Sequence, residues 1–330
     1  MNLNGSEWRP TSPSSPSPRA RRRLNSLKAP KGSSTPAKRK RRRPHRMATA
    51  KTLRETLAFE GVGLHSGERC KVLLHPSNLT DDDESIPWRN QAIRCHITVR
   101  KGGHVFPARW EFVVDTTRAT VLGDGTVKIG TVEHLMAALW MMGITHCVIE
   151  VVQGDEIPIL DGSALPFVEA IRPHAPPASP NVETRGEGAL QLRQADRYLA
   201  LSFSGETLFG YIHFPEPLGV QAGAFPVADS LTEIAPARTF GFLREVEALR
   251  RQGLARGGAL ENALVIGETG YHNPARFEDE PLRHKLLDVL GDLYLSGVYL
   301  PRFTLVAVKP GHALNVQLAR MLAQRFGTED

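Results

Sequence analysis

The chain has 330 residues, with 41 Lys/Arg against 35 Asp/Glu and three scattered cysteines, Cys70, Cys95 and Cys147. That length exceeds the usual single core, so one large or two medium domains are expected. The odd number and scattered spacing of the cysteines suggest neither a disulfide framework nor a cysteine zinc site and suit a reducing compartment. The longest apolar run, LMAALWMMGI (135–144), falls short of the ~18 residues of a membrane-spanning helix and reads as a buried helix.

Charge divides the chain. Residues 1–50 carry 14 Lys/Arg and one acid, Glu7, a net of +13; the other 27 basic and 34 acidic residues leave the body at −7. The segment 1–50 is Ser, Pro, Arg and Lys with almost nothing to bury, so a disordered tail is expected. Its KRKRRR (38–43) suits nucleic acid. Its acid-poor, Arg-rich composition equally suits a mitochondrial transit peptide. The favoured expectation is upstream sequence read into the chain, with Met47 as the start, because a strand-like stretch, KTLRETLAFEGVG, follows directly.

From there strands and helices mix. Strands are predicted over 69–76, 92–102 and 110–114 from β-branched content and alternation. TVEHLMAALWMMG (131–143) predicts a helix capped by Thr131 and ended by Gly143. A strand at 145–152 follows. The Pro-rich, polar 170–188 is the best boundary. Further strands are predicted at 189–193, 198–204, 208–214 and 303–309, with helices at 242–253 and 281–297. The organisation expected is a tail 1–50, a first domain 51–172, a linker 173–187 and a second domain 188–330. Helix, glycine and strand recur, as 133–152 and as 284–309. Aligning Gly143 with Gly297 sets His134 opposite Asp288, which suggests two similar α+β domains facing a shared cleft.

His284, Asp288 and Asp292 lie at i, i+4 and i+8, on one helical face. Such a pair is more often a surface pair than a metal site. A metal-dependent hydrolase needs three protein ligands, an open position and a separate base. His134 is the best third ligand, and Glu133 beside it suits a base, although an acid at a helix start also answers the helix dipole. His312, in a strand-to-helix turn, suits a general acid or an oxyanion partner, or simply a cap. By themselves RTFGF (238–242) reads as packing and DGS (161–163) as a turn.

Six blocks occur in order: GVGLHSG (61–67), TVEHLMAAL (131–139), EIPILDGSALPFVE (156–169), ARTFGF (237–242), RFEDEPLRHKLLDVLGDL (276–293) and GHALN (311–315). Together they resemble the UDP-3-O-acyl-N-acetylglucosamine deacetylases of lipid A biosynthesis, over roughly residues 52–320. The resemblance implies an α+β fold of two similar domains, each a β-sheet layer against a helix layer, with the active site between the helix layers. It implies an insert near 116–130 and another near 246–280, the second helping to form an apolar passage for an acyl chain.

It further implies zinc, with iron(II) as the alternative, on His134, His284 and Asp288, and Glu133 as the base. His312 would be the protonated acid, Asp292 its partner carboxylate, and Thr239 a hydroxyl on the oxyanion. Phe240, Lys285, Lys309 and Leu64 would contact a UDP-linked, acylated N-acetylglucosamine. The implied reaction is amide hydrolysis in the cytoplasm by a monomer without a membrane span or a nucleic-acid partner. Glu245 stands where the family often has Asp. Two other readings remain at this stage: a two-histidine, one-carboxylate iron site for oxygen chemistry, and a nucleic-acid binder led by its tail. Glu133 argues against the first, and the acidic body against the second.

Overall fold

The computed structural model describes residues 51–78, 92–175 and 188–327. The expected tail, 1–50, and most of the expected linker, 176–187, lie outside the described residues. Two five-stranded sheets organise the rest. The first contains β1 (Leu57–Val62), β2 (Arg69–Pro76), β4 (His96–Lys101), β5 (His104–Pro107) and β9 (His146–Gln153), in the order β1-β2-β9-β4-β5. β9 runs antiparallel to β2 and parallel to β4. A short β3 (Ile93–Arg94) pairs elsewhere, and Cys95 separates it from β4. Strand faces alternate as a half-buried sheet requires: on β2, Val72 and Leu74 are buried while their neighbours are not.

The second sheet repeats the plan. β10 (Ala189–Gln194), β11 (Arg197–Ser202), β12 (Thr207–His213), β13 (Val220–Pro226) and β17 (Thr304–Val308) take the order β10-β11-β17-β12-β13. β17 is antiparallel to β11 and parallel to β12. Each central strand follows a helix, α1 (Glu133–Met141) before β9 and α5 (Glu280–Tyr294) before β17. Each helix is closed by a left-handed glycine, Gly143 at φ 65° and Gly297 at φ 70°. Those conformations favour glycine because a Cβ there crowds the carbonyl. The repeated helix, glycine and strand is therefore a true structural repeat.

Two smaller inserts stand outside the two sheets. The first is a three-stranded sheet of β6 (Val113–Asp115), β7 (Val121–Gly123) and β8 (Lys128–Ile129). The second holds β14 (Phe240–Phe242), α4 (Leu243–Arg251) and β15 (Leu264–Ile266), with β14 and β15 parallel. Two short helices, α2 (Leu165–Ile171) and α3 (Ser230–Glu233), and the last helix, α6 (His312–Phe326), complete the described elements used below. The described residues belong to one compact unit, and one continuous apolar core joins both halves, from Leu53 to Phe326. α1 runs through it: Leu135 to Leu139 are at most 1 % exposed. Among the described residues no helix is long and apolar enough to cross a membrane. The three cysteines are free and buried.

Two expectations are corrected. Residues 110–114 are not one strand: Trp110–Phe112 is a 3₁₀ turn and β6 begins at Val113. Trp110 donates its N–H to the Leu295 carbonyl across the fold and Phe112 to the Arg109 carbonyl within the turn, so one tertiary and one local bond take the donors a strand would use. Thr131 does not cap α1. It sits at φ 57°, and its hydroxyl donates to Glu156 Oε1 at 2.9 Å.

Candidate active site

α1 and α5 cross at their backbones. A Cβ placed on Gly291 would overlap the Glu133 carbonyl oxygen and lie 2.7 Å from its carbon. This approach puts His134, from the first turn of α1, against one face of α5. There His284 Nε2 lies 3.3 Å and His134 Nε2 3.8 Å from Asp288 Oδ1. The three residues are at most 3 % exposed, and their donor atoms lie within 4.8 Å of one another.

The chemistry of this group fits a metal. His284 Nδ1 donates to the Ala237 carbonyl at 3.1 Å; a carbonyl only accepts, so Nε2 carries the lone pair that faces the cluster. Burial pushes His134 down to about 3, with His284 adding to the drop, and burial also lowers His284, so both imidazoles are neutral, as ligands must be. Burial opposes ionisation of Asp288, yet the positive charge around it, that of Lys285 above all in a site with neutral imidazoles, holds the carboxyl well below its usual range. Its Oδ2 accepts from Lys285 Nζ at 2.7 Å, while its buried Oδ1 has no hydrogen-bond partner. An unpaired buried anionic oxygen is costly unless something cationic meets it.

Beside this group stand Glu133 and His312. Burial pushes Glu133 up to about 8, His312 opposes the rise, and Asp292 and Asp288 add to it. Its Oε2 accepts from the Thr120 N–H at 3.0 Å. His312 opens α6, where an imidazolium is disfavoured by the dipole. Burial also opposes its charge, yet Asp292 holds its pKa up at about 9. His312 Nδ1 donates to Asp292 Oδ2 at 2.9 Å, which leaves Nε2 for the cavity. Asp292 is fully buried and also accepts from Asn315 Nδ2 at 2.9 Å and Thr120 Oγ1 at 2.5 Å.

A cavity of about 760 Å³ opens over these groups. Its lining includes Leu64, Thr239 and Phe240, then the apolar Leu243, Val246, Leu249, Leu254, Leu260 and Val265 of the second insert. Phe240 meets the His284 ring edge-on, centroids 6.1 Å apart, and Lys285 Nζ lies 5.7 Å from the Phe240 centroid. Thr239 is held by its own N–H, which donates to Gly162 of the DGS turn at 2.7 Å. That turn is thus more than punctuation. Lys309 stands apart: it pairs with Asp196 at 2.6 Å and is absent from the lining, where Arg197 appears instead. Glu245 lies 3.8 Å from Arg118, both well exposed, a contact of little energetic weight.

Sequence reading missed four contributors. Thr120 lay inside a segment treated only as an insert. Asn315 sits three residues after His312, a spacing that shares one helix face. Glu156 accepts from the N–H groups of His65 and Ser66 and from Thr131, tying three of the quoted blocks together. His65 lines the cavity, and neither of its ring nitrogens has a partner.

The loop carrying Thr239 is anchored by a buried ion pair. Glu280, fully buried in the first turn of α5, accepts from Arg238 N, Nε and Nη2 at 3.0, 2.9 and 3.2 Å and from Arg276 N at 2.6 Å. Glu280→Ala leaves the Arg238 guanidinium buried without its partner, and the expected cost is about 3–5 kcal/mol. Denaturant unfolding measures it; a change close to zero would mean that water replaces the carboxylate.

The site is therefore a buried two-histidine, one-carboxylate cluster with an adjacent carboxyl and a charged imidazole, the donor set of a metal-dependent hydrolase. The family model for UDP-3-O-acyl N-acetylglycosamine deacetylase matches residues 50–324, and the chain belongs to that family. Relatives bearing the name UDP-3-O-acyl-N-acetylglucosamine deacetylase include one from Aquifex aeolicus (strain VF5), 38 % identical over 290 residues, covering 84 % of this chain and 94 % of the relative. Another, from Thermosynechococcus vestitus, is 40 % identical over 282 residues, covering 84 % and 95 %. A third, from Leptospira biflexa serovar Patoc, is 37 % identical over 295 residues, covering 84 % and 91 %.

Proposed function

We propose that this chain hydrolyses the N-acetyl group of UDP-3-O-(3-hydroxyacyl)-N-acetylglucosamine, releasing acetate and the free 2-amine for lipid A biosynthesis, with zinc held by His134, His284 and Asp288. The observation that carries the reading is the unpartnered Asp288 Oδ1 facing two neutral imidazoles, with Glu133 and His312 beside it at one cavity. Family membership supplies the substrate class. A zinc ion held there would supply a Lewis acid for the acetamide carbonyl and would acidify a water; iron(II) suits the same donors.

The chain's own groups do the rest. Glu133, fixed through one oxygen by Thr120, takes the proton of the attacking water. His312, kept protonated by Asp292, donates from Nε2 to the departing amine. The Thr239 hydroxyl lies on the cavity wall, where it can hydrogen-bond the carbonyl oxygen as negative charge grows on it. Phe240 packs on the sugar. Lys285 and the cavity-lining Arg197 suit the diphosphate, Arg197 in the place first given to Lys309. Leu64 and the apolar wall from Leu243 to Val265 exclude water around the acyl chain. With a nucleotide-linked substrate and relatives from bacteria, the cytoplasm is the compartment of action, and the reading is of a monomer.

The test is acetate release from the UDP-linked substrate by the full chain. Activity is expected to vanish with a strong chelator and return with zinc. In His284→Ala it is expected not to return, since two protein donors remain. Folded, metal-loaded protein that releases no acetate would sink the reading. Metal analysis of the purified chain distinguishes zinc from iron.

A further inference from the structure

We infer that Thr120 is a positioning residue that sets the proton acceptor and the proton donor of the site in register by bonding to all three helices that carry them. This rests on the roles proposed above for Glu133 and His312. Thr120 has no exposed surface and precedes β7, in the segment before α1. Its backbone holds the start of α1 twice. The N–H donates to Glu133 Oε2 at 3.0 Å, and the carbonyl accepts from Val132 N at 3.3 Å. Its hydroxyl reaches the other two helices. It donates to Asp292 Oδ1 on α5 at 2.5 Å and lies 3.3 Å from His312 Nδ1 on α6.

The bonds divide the labour between atoms. A carboxylate has two oxygens, and the Thr120 N–H occupies one of Glu133, so the other is turned to the cavity. Asp292 Oδ2 is taken by His312 Nδ1 and Asn315 Nδ2, and Oδ1 by the Thr120 hydroxyl. Both oxygens of a fully buried carboxylate are thereby satisfied, and the carboxylate has one orientation. Without the hydroxyl, Oδ1 is unpaired, and the carboxylate gains by rotating. His312, bonded to Oδ2, then follows it. No other described residue bonds to Glu133, Asp292 and His312 together.

The test separates the two functions of the residue. Thr120→Val keeps the shape and the N–H but removes the hydroxyl; Thr120→Ser keeps the hydroxyl. The Val chain is expected to lose about 10–100-fold in kcat, the scale of a misplacement of about 1 Å. KM and metal content should stay close to the parent's, the thermal midpoint should fall modestly because Asp292 Oδ1 is left unpaired, and Ser should restore most of the rate. A purely structural role would lower the thermal midpoint and leave the kcat of the folded, metal-loaded chain at the parental value. The inference is overturned if Val keeps the parental kcat, if its loss tracks lost metal, or if Ser is as slow as Val. Should the Val chain not fold, Thr120→Cys, similar in volume with a weaker donor, carries the same expectation of a kcat loss at constant KM. Glu133→Gln and His312→Ala run beside it: full activity in these would sink the roles proposed for them, whereas their loss with an unaffected Val chain would sink only the inference about Thr120.

Discussion

Glu133→Gln is expected to bind substrate as the parent does and to turn over about 10²–10⁴-fold more slowly, the usual contribution of a positioned general base. The amide oxygen still accepts from the Thr120 N–H, so the side chain keeps its place. What it loses is the ability to hold a proton. The loss should therefore fall on kcat, with KM little changed. A Gln chain with parental kcat would move the base to another group. The same substitution has an opposite consequence for stability. In the metal-free fold Glu133 has its pKa raised from 4.5 to about 8 by burial first and by Asp292 and Asp288. A group with a raised folded pKa favours the fold fully below its unfolded value, and that advantage is lost as pH rises through the folded value. From pH 4.5 to 8 the parent is progressively penalised, and the Gln chain is not. Thermal unfolding of the metal-free proteins should show Gln gaining on the parent across that window; a constant difference would refute the linkage.

How much of this was legible differs by residue. His284 and Asp288 share a face at i, i+4, and that follows from helix geometry alone. So does the closing of both α1 and α5 by glycine. The meeting of His134 with Asp288 does not follow from either helix. It needs the crossing at Gly291, where two backbones touch, and a glycine inside a helix announces only lowered propensity. The repeat was visible as helix, glycine and strand; the identical sheet orders were not, because pairing between strands far apart in sequence leaves no local mark. Thr131 suits a cap by type and position; its hydroxyl goes to Glu156 instead, a tertiary bond over 25 residues. Lys309 is assigned to the diphosphate by resemblance alone; in the fold it pairs with Asp196 in the hairpin of β10 and β11, a contact that carries no mark in the sequence. The strand expected at 110–114 failed because the Trp110 N–H is claimed by Leu295 across the fold.

Gly291→Ala carries the opposite sign from the usual expectation. In an ordinary helix interior, replacing Gly with Ala stabilises by roughly 0.5–1 kcal/mol. At Gly291 the new methyl would strike the Glu133 carbonyl oxygen, with its carbon 2.7 Å and its Cα 3.0 Å away. No side chain can rotate to relieve contact with backbone. Overpacking of about 1–3 kcal/mol or more then exceeds the propensity gain, and the chain should be less stable. The strain is relieved only if α1 and α5 separate, and that movement draws His134 from His284 and Asp288. Zinc should therefore stabilise the variant less than the parent, since binding to the folded state raises stability in proportion to the logarithm of affinity. Leu290→Ala is the control. It removes a buried side chain next door at a cost of about 2–5 kcal/mol but leaves the backbone crossing free of overlap. Thermal unfolding with and without zinc should show a full zinc-induced rise in Leu290→Ala and a reduced one in Gly291→Ala. Equal rises would mean that the metal group does not depend on how closely the two helices approach, and that the crossing serves the fold alone.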